Sequence, residues 1–527
     1  MAQAASSLKG TPLDHICIVS MGLFALPECL AFLRPKSACT AGDPYSLPEL
    51  EDACSSARQK RCKLASRTLS VCGRLCPVGC CILGDLLRCG GPKHGVKNAR
   101  RLRGALEKLG PAFIKLGQAM ASREDVFGPG PAAELRKLCD QVVPIPLEQA
   151  RNLLEEELGL KAPRLEDEPV AAASLGQVYR IEVDGQDLAM KIQRPGLADK
   201  LAIDVVILMK STAVASRIYK CFAVSSIDFV QVVRAWAQTL WQELDYEREG
   251  RSMEYMRSQL VGRVSGLVIP GVHWPLTGLR VLTTEWVQGM RLTDSISNIS
   301  SRHITTGVDA FASMVLDIGF VHADPHAGNV IITNADEVCL LDFGMVVEVP
   351  EEHRMCWAKC LYAMIRKDHS QTLDNLIAIG FFPSNCPRER ILEVMPRIWT
   401  QLVDCGSDIK KRKQAVQECW GEIMTMVREF QFDLPDYYLA LARAMITLEG
   451  IAIAADVEFD IFKAAMPRVL KYLAEKAAAE AVNVGRKVGS KLSDKVICCR
   501  RRCKQRAKGP PSVVGLKGGA GGMIAEI

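Results

Sequence analysis

The chain has 527 residues, 48% apolar and 24% charged, with a formal net charge of +6. That length points to two to four domains, or to one large domain with additions. So mild a charge excess does not by itself imply nucleic acid as a partner, and no uninterrupted apolar run reaches the roughly 18 residues that cross a bilayer.

Residues 1–94 read as a Cys-rich N-terminal extension outside the body that follows, and as a candidate targeting region. Ile16 to Leu33 is its most apolar piece, broken by Pro27 and Glu28. The first thirteen residues lack acids and contain two serines and one lysine, a targeting composition that Asp14 soon dilutes. Ten of the 21 cysteines fall before Gly90. Their spacing favours buried or free thiols in a reducing compartment over a disulfide framework. Cys72, Cys76 and Cys80 lack the second Cys or His pair that zinc would need.

Residues 95–165 begin basic, with Lys97, Arg100, Arg101 and Arg103, and pass into a helical pattern. Phe113, Leu116 and Met120 fall within about 40° of one stripe, which leaves Lys115 and Gln118 together off the core face. On pattern alone, a solvated face accounts for both.

Residues 166–289 open with Ala171, Ala172, Ala173, Ser174 and Gly176, a small-residue loop before the strand Gln177 to Val183 that carries Val178. Such a loop lets backbone approach phosphates. Alanine disfavours positive φ, so this one should be stiffer than a glycine loop. The Asp184-Gly185 turn makes a hairpin with Leu188 to Gln193 and puts Lys191 on its second strand. A helix is expected from Phe229 to Leu260, with Glu243 as the acid for Lys191 and Glu247 or Glu249 as competitors. Val281 to Gly289 reads as a strand and linker.

Residues 290–480 hold the densest chemistry. A helix from Phe311 to Val321 leads to His322-Ala323-Asp324-Pro325-His326-Ala327-Gly328-Asn329. Two apolar runs then flank the turn Asn334-Ala335-Asp336, and Asp342-Phe343-Gly344 follows. An Asp and an Asn five apart, with Asp-Phe-Gly across a hairpin, is the layout of a phosphoryl-transfer loop. Asp324 would orient the acceptor, while Asn329 and Asp342 would hold Mg²⁺ on ATP or ADP. From Arg354 to about Leu473 the pattern is helical, with loops near 380–387 and 406–408. Residues 481–527 form a basic tail, charged from Arg500 to Lys508, that suits either an anionic membrane surface or a solvated disordered segment.

Six stretches resemble, in order, the motifs of the UbiB (AarF-domain, atypical protein-kinase-like) family. Lys115-Leu116-Gly117-Gln118 is similar to its Lys-x-Gly-Gln signature. Ala171 to Val178 is similar to its alanine-rich nucleotide loop, and Ala189 to Gly196 to its lysine strand. Glu243-Leu244-Asp245-Tyr246 is similar to its Glu-x-Asp helix, and the Asp324 loop and Asp342-Phe343-Gly344 complete the series. The similarity covers roughly residues 95–480. It implies an α+β, atypical protein-kinase-like fold with a small β-rich N-lobe, a helical C-lobe and an N-terminal helical extension covering the cleft. It also implies adenine contacts at Glu285 and Val287, with Lys115 and Gln118 lying over the nucleotide.

No Ala-Pro-Glu follows Gly344, and Met345 to Glu352 leaves little room for a peptide platform. With a covered cleft, this argues for ATP hydrolysis or phosphorylation of something small or lipid-like. The resemblance implies prenylquinone or isoprenoid lipid metabolism at an organelle membrane, with an isoprenoid or quinone-like lipid and a peripheral membrane surface as partners. Asp228 to Arg251 and Leu448 to Ala452 look most like the plastid and cyanobacterial branch. That favours a chloroplast, at plastoglobules or thylakoids, over a mitochondrion. A nucleotide-dependent lipid-binding scaffold and a protein kinase are the rival readings.

Overall fold

The computed structural model describes residues 47–87, 92–121, 129–139, 143–166, 168–220, 229–294, 299–323, 327–404, 436–455 and 460–482. Asp324, the expected loop at 406–408 and residues 483–527 of the basic tail therefore lie outside the described residues. The chain forms two compact units, Met1–Val469 and Leu470–Ile527. Of the second, residues 470–482 are described, as helix.

Helix α1 (Leu47–Gln59) buries Leu50, Cys54 and Ala57, about one residue per turn. Helix α2 (Arg61–Leu87) adds Val71. Both belong to one apolar cluster with α3 (Pro92–Leu109), α4 (Pro111–Ala121), α7 (Leu197–Lys220) and α8 (Phe229–Gln242). Lys60 pairs with Asp199 at 3.2 Å and Arg67 with the buried Asp204 at 2.7 Å. Residues 47–87 are thus part of the folded body, contrary to the expectation that all of 1–94 lies outside it. Their stripe is narrow because cysteine and alanine, rather than leucine, fill it. The basic stretch is also not a free patch, since Arg100 and Arg103 converge on buried Glu134 of α5 (Pro129–Arg136) at 3.3 and 3.2 Å.

The first sheet runs β1 (Ala171–Ala172), β2 (Gly176–Val183), β3 (Gln186–Gln193), β5 (Val281–Glu285). Asp184 and Gly185 have φ of 53° and 76°, the paired positive values of a type I′ turn. On β3, Leu188, Met190 and Ile192 point into a core shared with α6 (Leu147–Leu158). Alternation then sends Lys191 to the opposite face.

The second four-stranded sheet has the order β4 (Leu267–Val268), β9 (Val338–Leu340), β8 (Val330–Thr333), β6 (Gly289–Arg291). Strand β7 (Phe320–His322) pairs with β10 (Val346–Glu348), which brings the two ends of the motif region together. The helix expected over 311–321 is instead the end of α10 (Ser301–Ser313) and a π turn, Met314–Ile318. Gly319 stops it at φ 77°, where Arg354 packs too closely for a side chain. Helices α11 (Glu351–Ile365), α12 (His369–Ala378), α13 (Arg388–Asp404), α14 (Asp436–Ala454) and α15 (461–482) follow.

Candidate active site

Lys191 leaves β3 on the face opposite Leu188, Met190 and Ile192, with its side chain 24% exposed, and a buried acid meets it. That acid is Glu249, whose Oε1 and Oε2 lie 2.7 and 2.8 Å from Lys191 Nζ. Glu243, assigned to this role from the sequence, pairs instead with Lys115. Glu249 takes this place because the expected Phe229–Leu260 helix is broken. Helix α8 ends at Gln242, and Asp245 caps a new helix, α9 (Tyr246–Leu260), by accepting the Arg248 N–H at 2.8 Å. Glu249 then lies in the first turn of α9, buried beneath the sheet, whereas Glu243 is left in the connecting turn. The available signal was an Asp followed by acids at 247 and 249, the composition of a helix start.

Lys115 and Gln118 do share a face of α4, but not a solvated one. Both are only partly exposed, and Gln118 donates to Leu138 O at 3.3 Å. Between them Gly117 packs so tightly that a Cβ would meet Leu138 at 2.3 Å and Leu106 at 2.7 Å. The extension helix therefore reaches the site through the Lys115–Glu243 pair.

The β8–β9 hairpin sets the other side. Its register pairs Val330 with Leu340 and Ile332 with Val338. The turn residue Asp336, at φ 63°, binds His303 of α10 at 2.9 Å. At the open end, the Leu341 N–H donates to Asn329 O at 2.8 Å, which holds Asn329 beside the Asp-Phe-Gly triplet. Asp342 takes φ 55°, a left-handed value that aspartate tolerates better than most residues. Its Oδ1 accepts the Gly344 N–H at 3.1 Å, and its Oδ2 lies 3.8 Å from Lys191. Phe343 is fully buried, with its ring 5.2 Å from that of His322.

Charge is concentrated here. Burial works against ionisation of Asp342, but Lys191, the Gly344 N–H and His322 together hold its carboxyl well below the usual range. Burial raises the Glu249 carboxyl to about 7 against the pull of Lys191. Lys191 itself is held above its ordinary value because Asp342 and Glu249 outweigh its desolvation.

The alanine-rich segment is a tight hairpin rather than an open loop. Ala171 pairs with Val178 and Ala172 with Gln177, and the Ala173 N–H donates to Gly176 O at 2.7 Å. No residue from 171 to 176 has a positive φ. Gly176 is needed for space, since a Cβ there would lie 2.6 Å from both Ile192 O and the Tyr246 hydroxyl. Ser174 is buried in the turn, and Arg194 holds the turn through Ala173 O at 3.2 Å. At the expected adenine edge, the Glu285 N–H is spent on Gly271 O and that of Trp286 on Asp187 O, both at 2.9 Å. Val287 lies in the linker between β5 and β6.

A strand lysine bound to a helix acid, with an aspartate 3.8 Å away at the end of a hairpin, is the arrangement expected of a phosphate and metal site. Comparison with known proteins shows the family. Residues 137–376 match the model of the ABC1 atypical kinase-like domain. An uncharacterized Synechocystis protein, slr1919, is 31% identical over 72% of this chain and 67% of its own length. The chain belongs to the ABC1 atypical kinase-like family. A second Synechocystis protein, sll0005, is 32% identical over 77% of this chain and 61% of its own. The Arabidopsis protein ACTIVITY OF BC1 COMPLEX KINASE 3, chloroplastic, is 29% identical over 72% of this chain and 54% of its own. The chain thus spans about half to two thirds of the length of these curated relatives. The ABC1 match takes in Lys191, Glu249, Asn329 and Asp342, while Lys115 and Gln118 precede it. The fold is the α+β, kinase-like one.

Proposed function

We propose that this chain binds ATP or ADP with Mg²⁺ and acts as an atypical kinase or ATPase on a small or lipid-like acceptor, or on water. The observation that carries this reading is the convergence of Lys191 on Glu249 at 2.7 Å and on Asp342 at 3.8 Å. The oxygen donors of Asn329 and Asp342 fit Mg²⁺, which prefers one or two carboxylates plus phosphates and water to a full protein cage. Asp342, held ionised, suits a hard cation. The bound ion would offset phosphate charge. Lys191 would hold the phosphates from the sheet side, and Glu249 would keep it in place. Asp324 would orient the acceptor hydroxyl or water.

Two features favour a small acceptor over a protein. After Gly344, β10 pairs directly with β7 and α11 starts at Glu351, so the chain offers no long segment to seat a peptide. Lys115 of the extension also binds Glu243 at the edge of the site. The chloroplastic Arabidopsis relatives support a chloroplast location; the acceptor proposed there is an isoprenoid or quinone-like lipid at plastoglobule or thylakoid surfaces. The test is phosphate release by the purified chain with and without anionic liposomes or a prenylated phenol, beside label transfer to generic proteins. Asp324→Asn is the inactive control. Mg²⁺-dependent hydrolysis that the lipid raises, and that Asp342→Asn abolishes, is the expected result. Efficient transfer to peptides would overturn the small-acceptor reading, and absence of turnover under every condition would favour a lipid-binding scaffold.

A further inference from the structure

Tyr246 closes the Glu243-Leu244-Asp245-Tyr246 stretch but carries none of the lysine, acid or metal roles of the site. It opens α9 directly after the cap Asp245, is 1% exposed, and lies with its ring 4.8 Å from Lys191 Nζ. Its hydroxyl is sealed from solvent and, among the described residues, has no hydrogen-bond partner. A buried hydroxyl left unpaired costs stability, and phenylalanine would fill the same space without that cost. The cavity it occupies is also specific. Gly176, at the end of the alanine turn, has no side chain because the Tyr246 hydroxyl and Ile192 O each lie 2.6 Å from where a Cβ would stand.

What its O–H lacks is an acceptor. Lys191 cannot supply one, since an ammonium only donates and this one is directed at both oxygens of Glu249. Burial keeps the phenol above its ordinary range despite the nearby Lys191, so it remains a donor at neutral pH. What belongs there is an anionic oxygen next to Lys191 and beneath the alanine turn. We infer that Tyr246 is a phosphate ligand of the nucleotide site, its O–H donating to a phosphate oxygen of the ATP or ADP that Lys191 also holds. Because the hydroxyl is sealed, that oxygen reaches it only after a local rearrangement of the packing around Gly176. The inference rests on the nucleotide reading of the site.

The experiment compares the full chain with Tyr246→Phe, titrating each with ATP, ADP and adenosine in Mg²⁺ by calorimetry and recording unfolding without ligand. A hydrogen bond to a charged group is worth about tenfold or more in affinity. The variant should therefore lose about that factor for ATP and ADP, bind adenosine as the wild type does, and unfold at a higher temperature when empty. Equal affinity of the two proteins for ADP would overturn the role of Tyr246 and leave the nucleotide reading intact. A loss that extends equally to adenosine would mark Tyr246 as structural only. Failure of the wild type to bind any of the three would overturn the nucleotide reading itself.

Discussion

The pairing of Lys191 with Glu249 rather than Glu243 can be measured as a coupling energy. Glu249 is 4% exposed and Lys191 24%, with both carboxylate oxygens in contact. Removing one member of a buried pair costs about 3–5 kcal/mol because the other is left uncompensated. Here Asp342 at 3.8 Å gives Lys191 a second carboxylate, so Glu249→Gln should cost nearer about 2–3 kcal/mol. A double-mutant cycle of Lys191→Met and Glu249→Gln, read by denaturant unfolding with a common slope, should then show a coupling of about 2 kcal/mol. The parallel cycle with Glu243→Gln should stay under about 0.5 kcal/mol, because Glu243 is bound to Lys115. A coupling at Glu243 equal to or above that at Glu249 would refute the geometry and restore the sequence-based assignment.

Gly176→Ala should destabilise by about 1–3 kcal/mol through its clash with Ile192 O and the Tyr246 hydroxyl; placing it on a Tyr246→Phe background should recover part of the unfolding midpoint, and no recovery would show that the hydroxyl is not in the way. Arg468 of α15, 7% exposed, binds Asp309 at 2.8 Å, Asp317 of the π turn at 3.2 Å and Arg263 O at 3.4 Å, so Arg468→Met should cost about 3 kcal/mol in chemical denaturation, with Arg468→Lys restoring only part. A loss within error of zero would mean that the cluster is not a fold contact. Glu249 should also give a pH signature in the ligand-free chain. From its ordinary 4.5 up to about 7, the folded state keeps a proton that the unfolded state has released, so this group makes stability fall as pH rises through that window. Glu249→Gln should flatten that fall in unfolding midpoints taken across the window, while an unchanged slope would assign it to other groups.

The elements most legible in the sequence were those fixed by neighbours along the chain. Asp184-Gly185 dictated a type I′ turn, and with it the register that sets Lys191 opposite the face of Leu188, Met190 and Ile192. Asn334 to Asp336 likewise placed Asn329 and Asp342 at one end of a short hairpin. Helix α1 is hard to read from the sequence although Leu50, Cys54 and Ala57 repeat at helical spacing, because the small Cys54 and Ala57 side chains give a weak periodic signal. What the chain order could not settle was which of several acids would reach Lys191. Glu243 and Glu249 stand six residues apart, about 240° around any continuous helix, so only one of them could have faced the lysine. The choice was made by the break at Asp245, where the Tyr246 N–H leaves the helix ladder to bond Leu279 O at 3.1 Å. That bond joins residues 33 positions apart, and it exists only once the sheet and α9 have packed together.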